Sequence, residues 1–168
     1  MDLILVLDNI RSSYNVGAIL RTAEGFGVRK AVFSGYTPRV HDGRVLPHLR
    51  EKLDREIHKT ALGAEEMVGT YASDDIILDL KKLKEQEYLI LGLENNIEKP
   101  TFELGSEELR GRLTEKMVLI LGEEVNGIDY SLHDMIDLFV EIPMRGKKES
   151  FNVSVAAGVA MYELTKRA

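Results

Sequence analysis

The chain has 168 residues, no cysteine and a formal net charge of −6. The missing cysteines exclude a disulfide framework and a thiolate metal site, and the acidic balance argues against a nonspecific polyanion binder, whose phosphate contacts need clustered Lys and Arg. A hydrophobic content of 44% beside 30% charged residues fits one soluble globular domain spanning 1–168.

Residues 3–7 (Leu-Ile-Leu-Val-Leu) are continuously apolar, as expected of a strand covered on both faces. No basic stretch precedes them, so they read as a first strand and not as a secretory signal. No segment approaches the ~20 apolar residues of a bilayer span, and a cytoplasmic protein without membrane contact is the expectation. Asn15 then offers an N-cap, with Val16, Ile19, Leu20, Ala23 and Phe26 following at helical spacing and Gly25 and Gly27 closing the helix. Residues 30–34 form a second strand, ended by Gly35, Tyr36, Thr37 and Pro38. Strand, helix, strand is the building unit of a parallel sheet.

Residues 36–62 form a charged excursion with two prolines and three of the four histidines, and a short helix is expected over 49–60. A short strand over 66–70 follows, then a helix over 74–86 capped by Asp74. Strands are expected at 88–93, 117–121 and 138–142, a short helix at 106–112 and a helical turn at 130–135. Pro143 removes a backbone donor and ends ladder pairing after the last strand. The final helix, 152–166, is rich in small apolar residues from Val153 to Ala160. It is expected to be buried on nearly every side. The alternation predicts an α/β fold with a mostly parallel sheet and helices on both faces.

Charge is unevenly spread. Arg39, Arg44, Arg50, Lys52, Arg55 and Lys59 crowd one region, and Arg145, Lys147 and Lys148 sit between the last strand and the last helix. Taken alone, either cluster reads as an ordinary solvated face.

Three loops carry residues suited to chemistry. In the first, on the helix begun by Asn15, Arg21 projects about 150° away from the apolar stripe, and Gly17 one turn earlier leaves room beside the guanidinium. By itself this is a capping Asn and a solvated Arg. The second, Gly122 to Gly127 with Glu123 and Glu124, directly follows a strand and allows close backbone approach by a ligand. It has neither the Lys-Ser/Thr of a P-loop nor a dinucleotide fingerprint. The third runs from Ile142 through Ser150 and Asn152, two residues of the type that caps helix starts. A strand end, a charged loop and a helix N-terminus meet there, the place where an α/β protein holds a ligand.

Taken together and in order, Asn-x-Gly-x-x-x-Arg-x-Ala, Leu-x-Leu-Gly-x-Glu-x-x-Gly and Ile-Pro-Met-x-Gly-x-x-x-Ser-x-Asn-Val-Ser-x-Ala resemble the SpoU (TrmH-like) family of RNA 2′-O-ribose methyltransferases, within the SPOUT superfamily. The resemblance runs from about residue 3 to residue 164. It implies a Rossmann-like α/β fold whose C-terminal part forms a deep trefoil knot, a feature that periodicity cannot suggest. It also implies S-adenosylmethionine as cofactor, no metal, and a homodimer packed on the final helix. By the same resemblance Gly122, Ile142 and Phe151 contact the cofactor, with Gly92, Leu93 and Met144 as further candidates. Asn15 and Arg21 match the first motif, Glu124 the acid of the second, and Ser150 and Asn152 the polar pair of the third.

The counterpart of Arg21 is assigned the activation of the ribose 2′-hydroxyl. A guanidinium gives up protons poorly, so binding the 3′-phosphate and stabilising developing alkoxide charge is an equally physical role. No room remains for the separate N-terminal RNA-binding domain that many members carry. Arg39, Arg44, Arg50, Arg145, Lys147 and Lys148 are therefore the expected surface for tRNA or rRNA. A catalytically silent RNA-binding or assembly protein on the same fold is the alternative, and a small-molecule methyltransferase a third.

Overall fold

The computed structural model describes residues 1–166. Seven strands form one sheet: β1 (Asp2–Asp8), β2 (Lys30–Ser34), β3 (Gly69–Ala72), β4 (Leu89–Leu93), β5 (Thr101–Glu103), β6 (Lys116–Leu121) and β7 (Leu138–Glu141). Their spatial order is β3-β2-β1-β6-β4-β7-β5, and every neighbouring pair is parallel. Four helices lie between them, α1 (Ser13–Gly25), α2 (Pro47–Ala61), α3 (Ile76–Glu85) and α4 (Glu107–Arg110), and α5 (Val153–Thr165) follows the last strand.

The continuous apolar runs of β1 and β6 are explained by what lies on each face. Leu3, Leu5 and Leu7, with Met117, Leu119 and Leu121, pack into a core with α1, α2 and α5. Ile4 and Val6, with Val118 and Ile120, face a second core with Leu80 of α3 and Leu132 of a 3-10 turn (Tyr130–Met135). A strand covered on both faces needs apolar side chains at every position, so alternation disappears. No helix among the described residues is long and apolar enough to cross a membrane.

The expected helices and all six expected strands are present, with local differences. The side chain that caps α1 is that of Ser12, which accepts from the Asn15 N–H, so Asn15 lies in the first turn of the helix and its side-chain amide does not serve as the cap. Asp75, not Asp74, caps α3. β3 starts at Gly69, three residues later than expected, because 64–66 form a 3-10 turn. β5, only three residues long at the sheet edge, has no apolar run to announce it.

Gly17 does not leave room beside Arg21. It is buried against α2, where a Cβ would overlap the Thr60 hydroxyl and the Ile57 carbonyl, and its absence lets α1 and α2 pack closely. Nor is α5 buried all round. Ala157, Ala160, Met161 and Leu164 face the core, whereas Val155 and Tyr162 are each 50% exposed and Val159 lies between them at 38%.

Candidate active site

The carboxyl ends of β1, β4, β6 and β7 carry loops that meet on one edge of the sheet, the position where open parallel sheets bind ligands. The loop after β6 is closed by two backbone bonds exchanged between Glu123 and Gly127, both 2.9 Å. Gly122 fits beneath it only as glycine, since a Cβ there would overlap the backbone of Gly127 and Ile128. The loop after β4 is tied to the end of β7 by Asn95. Its amide nitrogen donates to the Ile142 carbonyl at 2.7 Å and its oxygen accepts from the Ile142 N–H at 3.2 Å. Asn96 reaches the Glu149 carbonyl at 3.1 Å.

Between these loops lies a cavity of about 360 Å³ whose walls include Leu93, Leu121, Gly122, Ile142, Phe151, Val153 and Ala156. Four carboxylates, Glu94, Glu123, Glu124 and Glu149, share its lining. Burial pushes the Glu94 carboxyl up from the ordinary glutamate value, although the Ile128 N–H donates to it at 2.8 Å. The cavity therefore mixes apolar side chains with a polar lining that includes four carboxylates. It suits a ligand with positive charge.

The three motifs are joined physically beside this cavity, which Glu124 lines and Asn15 and Asn152 do not. The Asn15 amide donates to Glu124 Oε1 at 2.8 Å, and the Arg11 N–H reaches Glu124 Oε2 at 3.3 Å. Asn152 Nδ2 donates to Asn15 Oδ1 at 3.2 Å, while Asn152 Oδ1 accepts from the Ser154 N–H at 2.9 Å and its hydroxyl at 2.6 Å. Each amide has its donor and acceptor ends assigned by its neighbour, so the side chains hold one orientation. Burial pushes the Glu124 carboxyl up, but the Asn15 amide and the N–H groups of Glu124 itself, Arg11 and Ser12 outweigh it. Its pKa lies below the ordinary glutamate value.

Asn152 both caps α5 and reaches Asn15; its bond goes to Asn15, not to Arg21. Ser150 lines the cavity, as do Leu93, Gly122, Glu124, Ile142 and Phe151. Arg21 is exposed two turns further along α1, where among the described residues it makes no hydrogen bond or ion pair. Gly92 and Met144 stand outside the lining: Gly92 lies mid-strand with Ile136, Ile128 and Phe139 packed against its Cα.

The basic candidates divide. Arg145, Lys147 and Lys148 are exposed on the loop before α5. Arg39 and Arg44 instead converge on the buried Asp42, at 3.3 and 3.1 Å. The Arg44 hydrogen bonds lead the causes that hold the Asp42 carboxyl at about 2, against the opposing effect of burial. Sequence reasoning missed Glu94 and Asn95, whose signal was a run of polar residues directly after β4. It also missed Ser154, two residues beyond Asn152 in the third motif.

A seven-stranded parallel sheet with a polar network and a cavity at its carboxyl edge defines a ligand-binding α/β protein of the doubly wound kind. More narrowly, residues 2–162 match the model of the SpoU rRNA Methylase family, and the chain belongs to that family. It is 33% identical over 165 residues to the 23S rRNA (guanosine-2′-O-)-methyltransferase RlmB of Xylella fastidiosa, an alignment covering 98% of this chain and 59% of the relative. The chain thus spans less than two thirds of that protein's length. Among solved structures, the A. aeolicus TrmH/SpoU tRNA modifying enzyme superposes with a TM-score of 0.78 at 23% identity, covering 99% of this chain and 75% of that one. The SpoU methyltransferase AviRb from Streptomyces viridochromogenes, in complex with AdoMet, gives 0.78 at 18% identity over 99% of this chain and 57% of its own. These two likenesses bear on the fold.

Proposed function

We propose that this chain is an S-adenosylmethionine-dependent methyltransferase that methylates a ribose 2′-hydroxyl of tRNA or rRNA. The observation that carries the reading is the hydrogen-bonded line Glu124–Asn15–Asn152, which joins three motifs from distant parts of the chain and reaches the cavity at Glu124. Membership of an rRNA methylase family supports it.

The residues present fit the cofactor. The cavity volume matches a nucleoside-sized ligand, Leu93, Ile142 and Phe151 give apolar walls for an adenine, and the four carboxylates suit a cation. When bound, the cofactor supplies a methyl group on a positively charged sulfur. Methyl transfer to oxygen then depends on alignment of nucleophile, methyl and sulfur. Asn15 and Asn152, fixed by Glu124 and Ser154, orient the ribose. Arg21 binds the adjoining phosphate and stabilises charge developing on the 2′-oxygen. Ser150 stands at the cavity rim, and Arg145, Lys147 and Lys148 form a lip for RNA.

The reading extends to the assembly. The exposed Val155, Val159 and Tyr162 stripe on α5 is apolar enough to be the face that a second copy covers, giving a cytoplasmic homodimer. The Asn95–Ile142 and Asn96–Glu149 clasps lie where a C-terminal trefoil knot would be drawn tight.

The test is incubation of total tRNA and rRNA with methyl-labelled S-adenosylmethionine, followed by mapping of the modified nucleotide. Label at a ribose 2′-oxygen is the expected result. RNA binding with no heat of cofactor binding by calorimetry would favour the silent assembly protein instead.

A further inference from the structure

With Arg39 and Arg44 held by Asp42, the basic character of the 36–62 segment falls to α2, whose charges are ordered. His48, Lys52, Arg55 and Lys59 are all exposed. Their spacing of four, three and four residues places them within an arc of about 60° at 100° per residue, over a length of about 16 Å. Of the three acids of the same helix, Asp54 turns to the 41 loop, accepting from the His41 N–H at 2.8 Å, while the exposed Glu51 and the Lys52 partner Glu56, at 3.8 Å, flank the stripe about 40° to either side.

The stripe has a direction. At its C-terminal end the Lys59 ammonium lies 5.7 Å from the centre of the Tyr14 ring, and the Thr60 hydroxyl donates to the Tyr14 carbonyl at 2.9 Å. Tyr14 is exposed on the first turn of α1, directly before Asn15. Seven residues on, Arg21 lies on nearly the same side of that helix. A row of four basic side chains therefore runs along α2 and continues onto the exposed face of α1 that carries Arg21.

We propose that the exposed face of α2 is a track for a single-stranded RNA backbone, leading the substrate strand past Tyr14 to Arg21. The proposal rests on the RNA methyltransferase reading and adds the path of the strand. Charge complementarity selects the occupant. In a chain of net charge −6, a line of three cations, Lys52, Arg55 and Lys59, headed by His48 and ended by an aromatic ring, is what a flexible polyanion bearing bases requires. A phosphate strand can follow a row of point charges, and Lys and Arg at helical spacing supply one contact per turn.

The experiment compares the full chain with a variant carrying Lys52→Gln, Arg55→Gln and Lys59→Gln. All three sites are exposed, and Gln keeps the helix propensity. Affinity for unmodified total tRNA and for rRNA transcripts is measured by anisotropy across a salt series, with S-adenosylmethionine affinity measured in parallel. RNA affinity at low salt should fall at least about tenfold. The slope of log affinity against log salt should flatten by about 2, the value for three lost single-strand phosphate contacts. Cofactor affinity should not change. If the wild type binds RNA and the variant matches it in affinity and slope, the track is overturned while the methyltransferase reading stands. If the wild type binds the cofactor but no RNA, the track and the RNA substrate both fall. Equal displacement of RNA by polyglutamate would make α2 a general anion face and overturn the assignment to RNA.

Discussion

Two acidic side chains, Asp42 in the loop before α2 and Glu124 at the cavity, organise their surroundings with opposite partners. Asp42 is 6% exposed and is surrounded by cations, Arg39 and Arg44, which it draws into the loop before α2. Glu124 is held by neutral donors, the Asn15 amide and backbone N–H groups. An acid neutralised by guanidinium groups makes a closed structural knot of charge and removes those arginines from other work. An acid held by amides keeps its charge, fixes its partners in one orientation and leaves Arg21 open. The same residue types thus close a charge pair in one region and hold a polar network open in the other, and burial with partner identity separates the two.

The sharpest way to break this contrast is Arg21→Ala. Turnover should fall by at least about 10²-fold, in the range seen when one stabiliser of developing charge is lost, with cofactor affinity unchanged by calorimetry. Normal turnover would return Arg21 to the class of Arg39, a surface charge with a structural use. Gly122→Ala comes next. The added methyl overlaps the 127–128 backbone, so the loop must shift, and cofactor affinity should drop by about tenfold or more while far-UV circular dichroism is retained. Wild-type affinity would show that the loop after β6 does not shape the cavity.

On the architectural side, Asp42→Ala should cost about 2 kcal/mol of stability, the loss of charged hydrogen bonds at a buried acid, read as a lower urea midpoint. Catalytic constants of the folded fraction should stay within twofold. The smallest effect is the pH dependence of the same group. The folded-state pKa of about 2 lies below the ordinary aspartate value, so the contribution is full above about pH 5 and is lost as pH falls through about 2. The stability advantage of wild type over Asp42→Asn should shrink over that window in urea titrations. A constant advantage would mean that the Arg44 bonds do not depend on the charge.

Much of the frame was legible in the residues. The unbroken apolar runs of β1 and β6 announced strands covered on both faces, and Asn152 was recognised as a polar group at the start of α5. Other features depend on distant partners. Ser12 and Asn15 are both competent caps, and only the position of Glu124 across the sheet edge shows why Asn15 serves elsewhere. Gly17 looked like space for a ligand because the sequence does not say that α2 lies on it. Arg39 and Arg44 stand three and two residues from Asp42, so their proximity could be read, but the burial that turns proximity into a fixed pair could not. β5 is three residues at an edge and borrows its conformation from β7.

Asn95 has a wider consequence. β4 pairs with β7 up to Leu93 and Val140, and beyond that point the Asn95 amide meets both the N–H and the carbonyl of Ile142. A side chain thereby stands in for the next rung of the ladder, carrying the sheet's order into a segment whose backbone has already left it. The cavity wall at Ile142 is set by folding itself and does not wait for a ligand to order it. An occupant that meets a wall already in place loses less of its binding energy to restraining the protein, and a bound molecule can leave without unmaking the surface that will receive the next one.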